Sequence, residues 1–199
     1  MTVKMTNRQL HALETKDAIY RAAISLFKTK GYENVLIEEI TKAAHTAKGT
    51  FYIHFKSKKD LLYHTFNKFD EIYVNAYEEV KQIPTFEERF LSFIEISYRE
   101  IDAGGKEIPK ALYYNSILDV DPVLLQNSRN KYKIISEMVQ FGIETGELNA
   151  KESVDYYLDM IKTQITGMDY RWCVATEEID FAKYTRESMR IYLRGLKNL

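Results

Sequence analysis

Proline and glycine are scarce in this chain, and where they occur they punctuate: among 199 residues only three are proline and eight glycine. Between them apolar residues recur every three or four positions, the period of one face of an α-helix. No run reads as a strand longer than a few residues, and no segment repeats. The expectation is an all-α chain of about nine helices: a three-helix N-terminal helix-turn-helix domain followed by a larger helical domain. Ile19, Ala22, Ala23, Leu26 and Phe27 mark one face of a helix over 15–30, closed by Lys28, Lys30 and Gly31. Two helices over 37–44 and 47–55 are too short to hold alone and must pack on the first. A long helix over 57–81 carries a broad apolar stripe, with Pro84 expected to end it. Thr85 with Glu88 spells a capping box for the next helix, which closes at Gly104-Gly105. Further helices are expected over 109–118, over 150–174, and over 181–196 with Asp180 as cap. Between the first two of these, one is expected to open at Asp121-Pro122, read as N-cap and first-turn proline, and to run to Thr145.

The residues are 45% hydrophobic and 13% aromatic, enough to bury a core. No apolar run is long enough to span a bilayer, and the first ten residues lack the apolar stretch of a secretory signal. The one cysteine, Cys173, makes no internal disulfide. A cytoplasmic protein with no membrane partner is expected. The net charge of −1 hides an asymmetry: residues 1–60 hold 11 Lys/Arg against 6 Asp/Glu, the rest 17 against 23. A basic head on an acidic body suits a phosphate-binding module attached to a body with another task. The domains are expected at 1–56 and 57–199.

Residues 37–62 read IEEITKAAHTAKGTFYIHFKSKKDLL. Two short helices meet at a tight turn near His45, and the second carries Lys48, Thr50, Tyr52 and His54, then Lys56, Lys58 and Lys59. A helix that enters the major groove must be narrow, exposed on one side and rich in donors, because guanine edges and phosphates present acceptors. Phe51 and Phe55 are expected to face the core and to position the helix.

The run Gly31-Tyr32, Ile40, Ala44, then Lys48-Gly49-Thr50-Phe51-Tyr52-Ile53-His54-Phe55-Lys56-Ser57-Lys58, ending Asp60-Leu61-Leu62, resembles the tetracycline-repressor (TetR) family over about residues 15–65. The resemblance implies a DNA-binding transcriptional regulator, most simply a repressor that leaves a palindromic operator when a small, mostly apolar ligand binds the C-terminal domain. The alternative is a regulator controlled by a protein partner or by no effector. It implies DNA contacts from Thr46, Ala47, Lys48, Gly49, Thr50, Tyr52, His54, Lys56 and Lys58, with Lys58 as the strongest phosphate clamp at the start of the long helix. Three departures stand out. His45 occupies the family's glycine and must accept a left-handed backbone. Ala47 occupies its serine, leaving Thr46 to cap the second short helix. Leu36 replaces a threonine that would meet phosphate.

The resemblance also implies a homodimer through the last two helices. Leu158, Ile161, Ile165, Met168 and Trp172 recur at spacings of three and four, and Tyr184, Ile191 and Tyr192 add to them, which suits a helix–helix seam. The same faces equally suit the core of one chain. Phe66, Phe69, Phe90, Phe93, Tyr113, Tyr114, Tyr132, Phe141 and Tyr170 are candidates for an aromatic pocket, and equally for an aromatic core. No Ser/His/Asp or Cys/His grouping stands out, and His11, His45, His54 and His64 lack metal-ligand spacing. No catalysis, metal or cofactor is expected.

Overall fold

The computed structural model describes residues 6–118 and 123–197, and within them the chain forms nine α-helices and one 3₁₀ turn, with no strand. Two compact units divide at Thr65 and Phe66. In the first, α1 (Asn7–Lys30) begins eight residues earlier than its apolar pattern predicts. Thr6 Oγ1 accepts the Gln9 amide at 3.3 Å while Gln9 Oε1 accepts the Thr6 amide at 2.8 Å, a reciprocal cap. Residues 7–14 are exposed on every side, so this stretch of helix leaves no periodic trace. Ile19, Ala23 and Phe27 bury the later turns, and Gly31, at φ 77°, ends the helix in a conformation only glycine adopts freely. Next come α2 (Ile37–Ala43) and α3 (Lys48–His54). At the start of α2 the Glu39 carboxylate accepts the Leu36 amide at 2.9 Å and also holds Lys30.

The long helix α4 (Lys58–Val80) starts in this unit and continues into the second. The units divide inside α4, not before it, because its first two turns belong to the N-terminal core. Leu61 and Leu62 are fully buried, Tyr20 Oη meets Thr65 Oγ1 at 3.3 Å, and His64 packs edge-on to Tyr20 and Phe55.

In the second unit α5 (Phe86–Ala103) is the central helix, with Phe86, Phe90, Phe93 and Ile94 wholly buried. It packs against α7 (Asn130–Glu144) and α9 (Phe181–Leu196), while α8 (Val154–Val174) packs against α6 (Glu107–Leu118), α7 and α9. The capping box expected at Thr85 does not form. The Thr85 side chain makes no cap, and Glu88 instead binds Ser92 and Arg186. The cap is remote: Glu147, just past the left-handed Gly146, accepts the amides of Phe86 at 2.5 Å and Glu87 at 3.3 Å. Burial raises the Glu147 pKa, but the two amides and Lys197 outweigh it, and the net direction is down. Asp121-Pro122 lies outside the described residues. The chain then forms a 3₁₀ turn at Val123–Leu125, and α7 starts only at Asn130. Ser153 and Asp180 cap α8 and α9, the latter as the sequence indicates. Among the described residues no helix is long and apolar enough to cross a membrane.

Candidate nucleic-acid interface and buried polar cavity

The turn between α2 and α3 is built as the sequence requires. His45 takes φ 53°, the left-handed region, and the Thr46 amide returns to the Thr41 carbonyl at 2.9 Å. Thr46 does not cap α3. Its Oγ1 is buried without a partner, and Ala47 occupies the capping position with no side-chain bond. Phe51 is fully buried and Phe55 nearly so, which fixes how α3 is rotated. The opposite side is open: Ala47, Lys48 and Gly49 are exposed, Tyr52 is 49% and Ile53 79% exposed, and Thr50 and His54 are half-buried. A Cβ at Gly49 would meet nothing within 4 Å. Lys48 pairs with the Glu38 carboxylate across the turn, which raises the lysine's pKa and lowers the carboxylate's; both side chains are exposed, so solvent screens the pair.

Two residues sit differently from the sequence reading. Lys58 is not presented outward. Its Nζ donates to the carbonyls of Tyr32 at 2.7 Å, Val35 at 3.1 Å and Glu33 at 3.3 Å, and lies 4.4 Å from the centre of the Tyr32 ring. An ammonium has three donors, and these three carbonyls account for them. Lys58 ties the loop after α1 to the start of α4. Ile53 faces out although its residue type suggests burial. Its signal was positional: with Phe51 and Phe55 inward on so short a helix, residues 48–49 and 52–53 must face out.

The second unit contains a narrow, partly open cavity of about 40 Å³. Of the aromatic candidates Phe69, Tyr113 and Tyr132 line it. Phe90 and Phe93 belong to the core. Phe66 lies under the Arg129 guanidinium at 4.3 Å and Phe141 under Arg89 at 3.7 Å. Tyr114 and Tyr170 face outward, 55% and 53% exposed. At its wall lies a charged cluster that no local pattern singles out. Lys131 Nζ, almost wholly buried, is 3.1 Å from Tyr98 Oη and 3.7 Å from Asp169 Oδ2. Tyr113 Oη donates to the same Asp169 oxygen at 2.8 Å, and Arg129 pairs with Asp70 at 2.9 Å. Burial pulls the Lys131 pKa down and pushes those of Tyr73, Tyr98 and Tyr113 well up. On a sequence, single charges within helices look solvated, so nothing distinguishes these.

The expected dimer seam is corrected by the packing. Leu158, Ile161, Ile165, Met168 and Trp172 are at most 5% exposed and belong to the chain's own core. A core-facing helix and a coiled-coil seam share the same three-four spacing, so the pattern does not say which one it is. On the far side of α8 a second stripe runs outward: Tyr156, Met160, Thr163, Gly167, Tyr170 and Val174, spaced four, three, four, three, four. Ile191 is 73% exposed on α9, with Tyr184 and Tyr192 half-buried beside α8. Tyr192 Oη donates to the Met160 carbonyl at 3.0 Å, and the Arg171 guanidinium lies 5.8 Å from the Tyr184 ring.

Residues 19–65 match the family model described as bacterial regulatory proteins, tetR family. Over 186 residues the chain is 24% identical to the fatty acid metabolism regulator protein of Bacillus subtilis (strain 168), covering 90% of this chain and 94% of that one. Its fold is similar to the FadR regulator of Bacillus subtilis in complex with stearoyl-CoA, with a TM-score of 0.72 at 22% identity, covering 90% and 98% of the two chains. It is also similar to Thermus thermophilus FadR, a repressor in complex with lauroyl-CoA, with a TM-score of 0.68 at 24% identity, covering 91% and 94%. Residues 19–65 thus form a helix-turn-helix of the tetR family of bacterial regulatory proteins, and with it the chain is a DNA-binding transcriptional regulator.

Proposed function

We propose that the chain is a homodimeric repressor that binds a twofold operator through α3 and releases it when a small molecule occupies the second unit. The carrying observation is the outward face of α3, whose inner face is locked by Phe51 and Phe55. Lys48, Gly49, Tyr52 and Ile53 face the base edges, with Ile53 suited to a thymine methyl. Thr50, His54 and Lys56 flank them and serve phosphates. Thr46 and Lys58 are turned inward and act on the fold. The outward stripe of α8, with Ile191 on α9, supplies the dimer surface, and a twofold pair would read half-sites roughly 34–36 Å apart.

Two of the structures the chain resembles hold acyl-CoA thioesters, which supports control by a small molecule. The test is selection of binding sites from random duplex DNA, then affinity across a salt series. A phosphate-dominated complex weakens steeply with salt, and Lys56→Ala is expected to reduce the slope by about one. Selected sites without twofold symmetry, or no duplex binding in dilute buffer, would overturn this reading.

A further inference from the structure

We propose that the cavity of the second unit seats an uncharged group that both donates and accepts a hydrogen bond, such as a primary amide or a hydroxyl, joined to a flat apolar body. The inference rests on the regulator reading above and names the class of its effector.

Two polar atoms of the cavity wall are buried and unpartnered, Arg129 Nε and Asp169 Oδ1. One is a donor and the other an acceptor. The Arg129 side chain is 8% exposed and that of Asp169 14%, so neither atom turns to bulk water. Buried charged groups left in this state call for a partner, and the space present holds about two or three waters or one small polar group. The charges of the cluster balance, Arg129 and Lys131 against Asp70 and Asp169. A carboxylate or an ammonium would leave an uncompensated charge in a low-dielectric interior. A hydrocarbon chain would leave both atoms unpaired and expel the waters that could serve them. A neutral group with one donor and one acceptor meets both demands. The walls favour a flat body: Trp172 and Phe181 stack with centroids 4.3 Å apart and planes 4° from parallel, and Tyr98 stands edge-on to Phe181. A ligand larger than the present space must part these walls, and this gives occupancy a means of altering the packing of the unit.

Trp172 is the only tryptophan in the chain, so its fluorescence reports this cavity alone. The full-length protein is titrated with benzamide, benzoate, toluene and lauroyl-CoA, and DNA affinity is followed in parallel. Benzamide is expected to give a saturable change, with an affinity about tenfold or more above benzoate and toluene, as for a site built to hydrogen-bond its ligand. Asp169→Asn leaves two cations against one anion and is expected to reverse the order in favour of benzoate. Should that variant fail to fold, Lys131→Met combined with Asp169→Leu removes the pair as a unit, a change buried ion pairs often tolerate. That variant is expected to lose the preference for benzamide over toluene. Tighter binding of toluene, benzoate or lauroyl-CoA by the unaltered protein, or no response of Trp172 to benzamide, overturns the proposed ligand class and leaves DNA regulation standing. Saturable benzamide binding without any change in DNA affinity upholds the class and overturns the small-molecule control.

Discussion

α3 and α8 each have one face in a core and one face in solvent, yet only α3 declares which is which. In α3 and its C-cap the inward residues are two phenylalanines four apart and the outward ones are Lys48, Gly49, Tyr52 and Ile53, so residue type and position agree at all but the isoleucine. In α8 both faces carry apolar residues at the same spacing. Ile161 and Ile165 are wholly buried while Tyr170 and Val174, on the opposite stripe, are each 53% exposed. A helix with one apolar face states its orientation, whereas a helix with two states only that it has two neighbours. The sharpest way to break this contrast is a paired substitution. Ile165→Ala is expected to cost about 2–5 kcal/mol of stability, as for truncation of a fully buried side chain. Ile191→Ala, on an exposed site, is expected to leave the unfolding free energy of the isolated chain within about 0.5 kcal/mol of the original. Ile191→Asp should keep the fold and shift sedimentation toward the monomer. Equal destabilisation by both alanines would show that the two faces are not distinct.

Lys58 extends the comparison to a cation that sequence reading placed outside and the fold turns inward. Position at a helix start and a basic neighbourhood suggested a phosphate partner. The three carbonyls it meets come from residues 23 to 26 positions earlier, a closure no local pattern encodes. Lys58→Ala is expected to lower the stability of the first unit by about 1.5–3 kcal/mol, the worth of hydrogen bonds to a charged group. DNA affinity measured where that unit stays folded should keep its salt slope, in contrast to Lys56→Ala. A reduced slope at unchanged stability would return Lys58 to the phosphate backbone.

How much was legible follows the same division. The order of the helices, the left-handed His45, the inward Phe51 and Phe55, and the Asp180 cap all depend on residues within a few positions of one another, and the sequence displays them. The early start of α1 was hidden because its first turns bury nothing. The cap of α5, the Lys131–Asp169 cluster and the inward turn of the 158–172 seam join residues tens of positions apart. Periodicity carries no information about which distant face, or which distant carboxylate, a residue will meet.

The α5 cap offers a smaller test of local against remote design. Glu147→Gln keeps the shape but gives up the carboxylate that accepts two α5 amides and pairs with Lys197. A loss of about 1 kcal/mol is expected near neutral pH, the usual worth of a helix cap. The folded-state pKa of Glu147 lies below its ordinary value, so its contribution is present above that ordinary value and fades as the pH falls through the folded one. The difference between the two proteins should therefore shrink on acidification. Thr85→Ala, by contrast, should change almost nothing, since its side chain makes no cap.

The smallest stability effect belongs to Gly49, and its sign separates a fold residue from a contact residue. Nothing lies within 4 Å of a Cβ built there, so alanine fits without strain. Alanine also replaces the residue that weakens a helix most after proline, and Gly49→Ala is expected to raise the stability of the first unit by up to about 1 kcal/mol. If the open face of α3 lies against DNA, the added methyl occupies space the duplex needs, and affinity should fall while stability rises. A protein in which both rise together would place the DNA elsewhere on the unit, because no loss of structure could then be blamed for the missing effect.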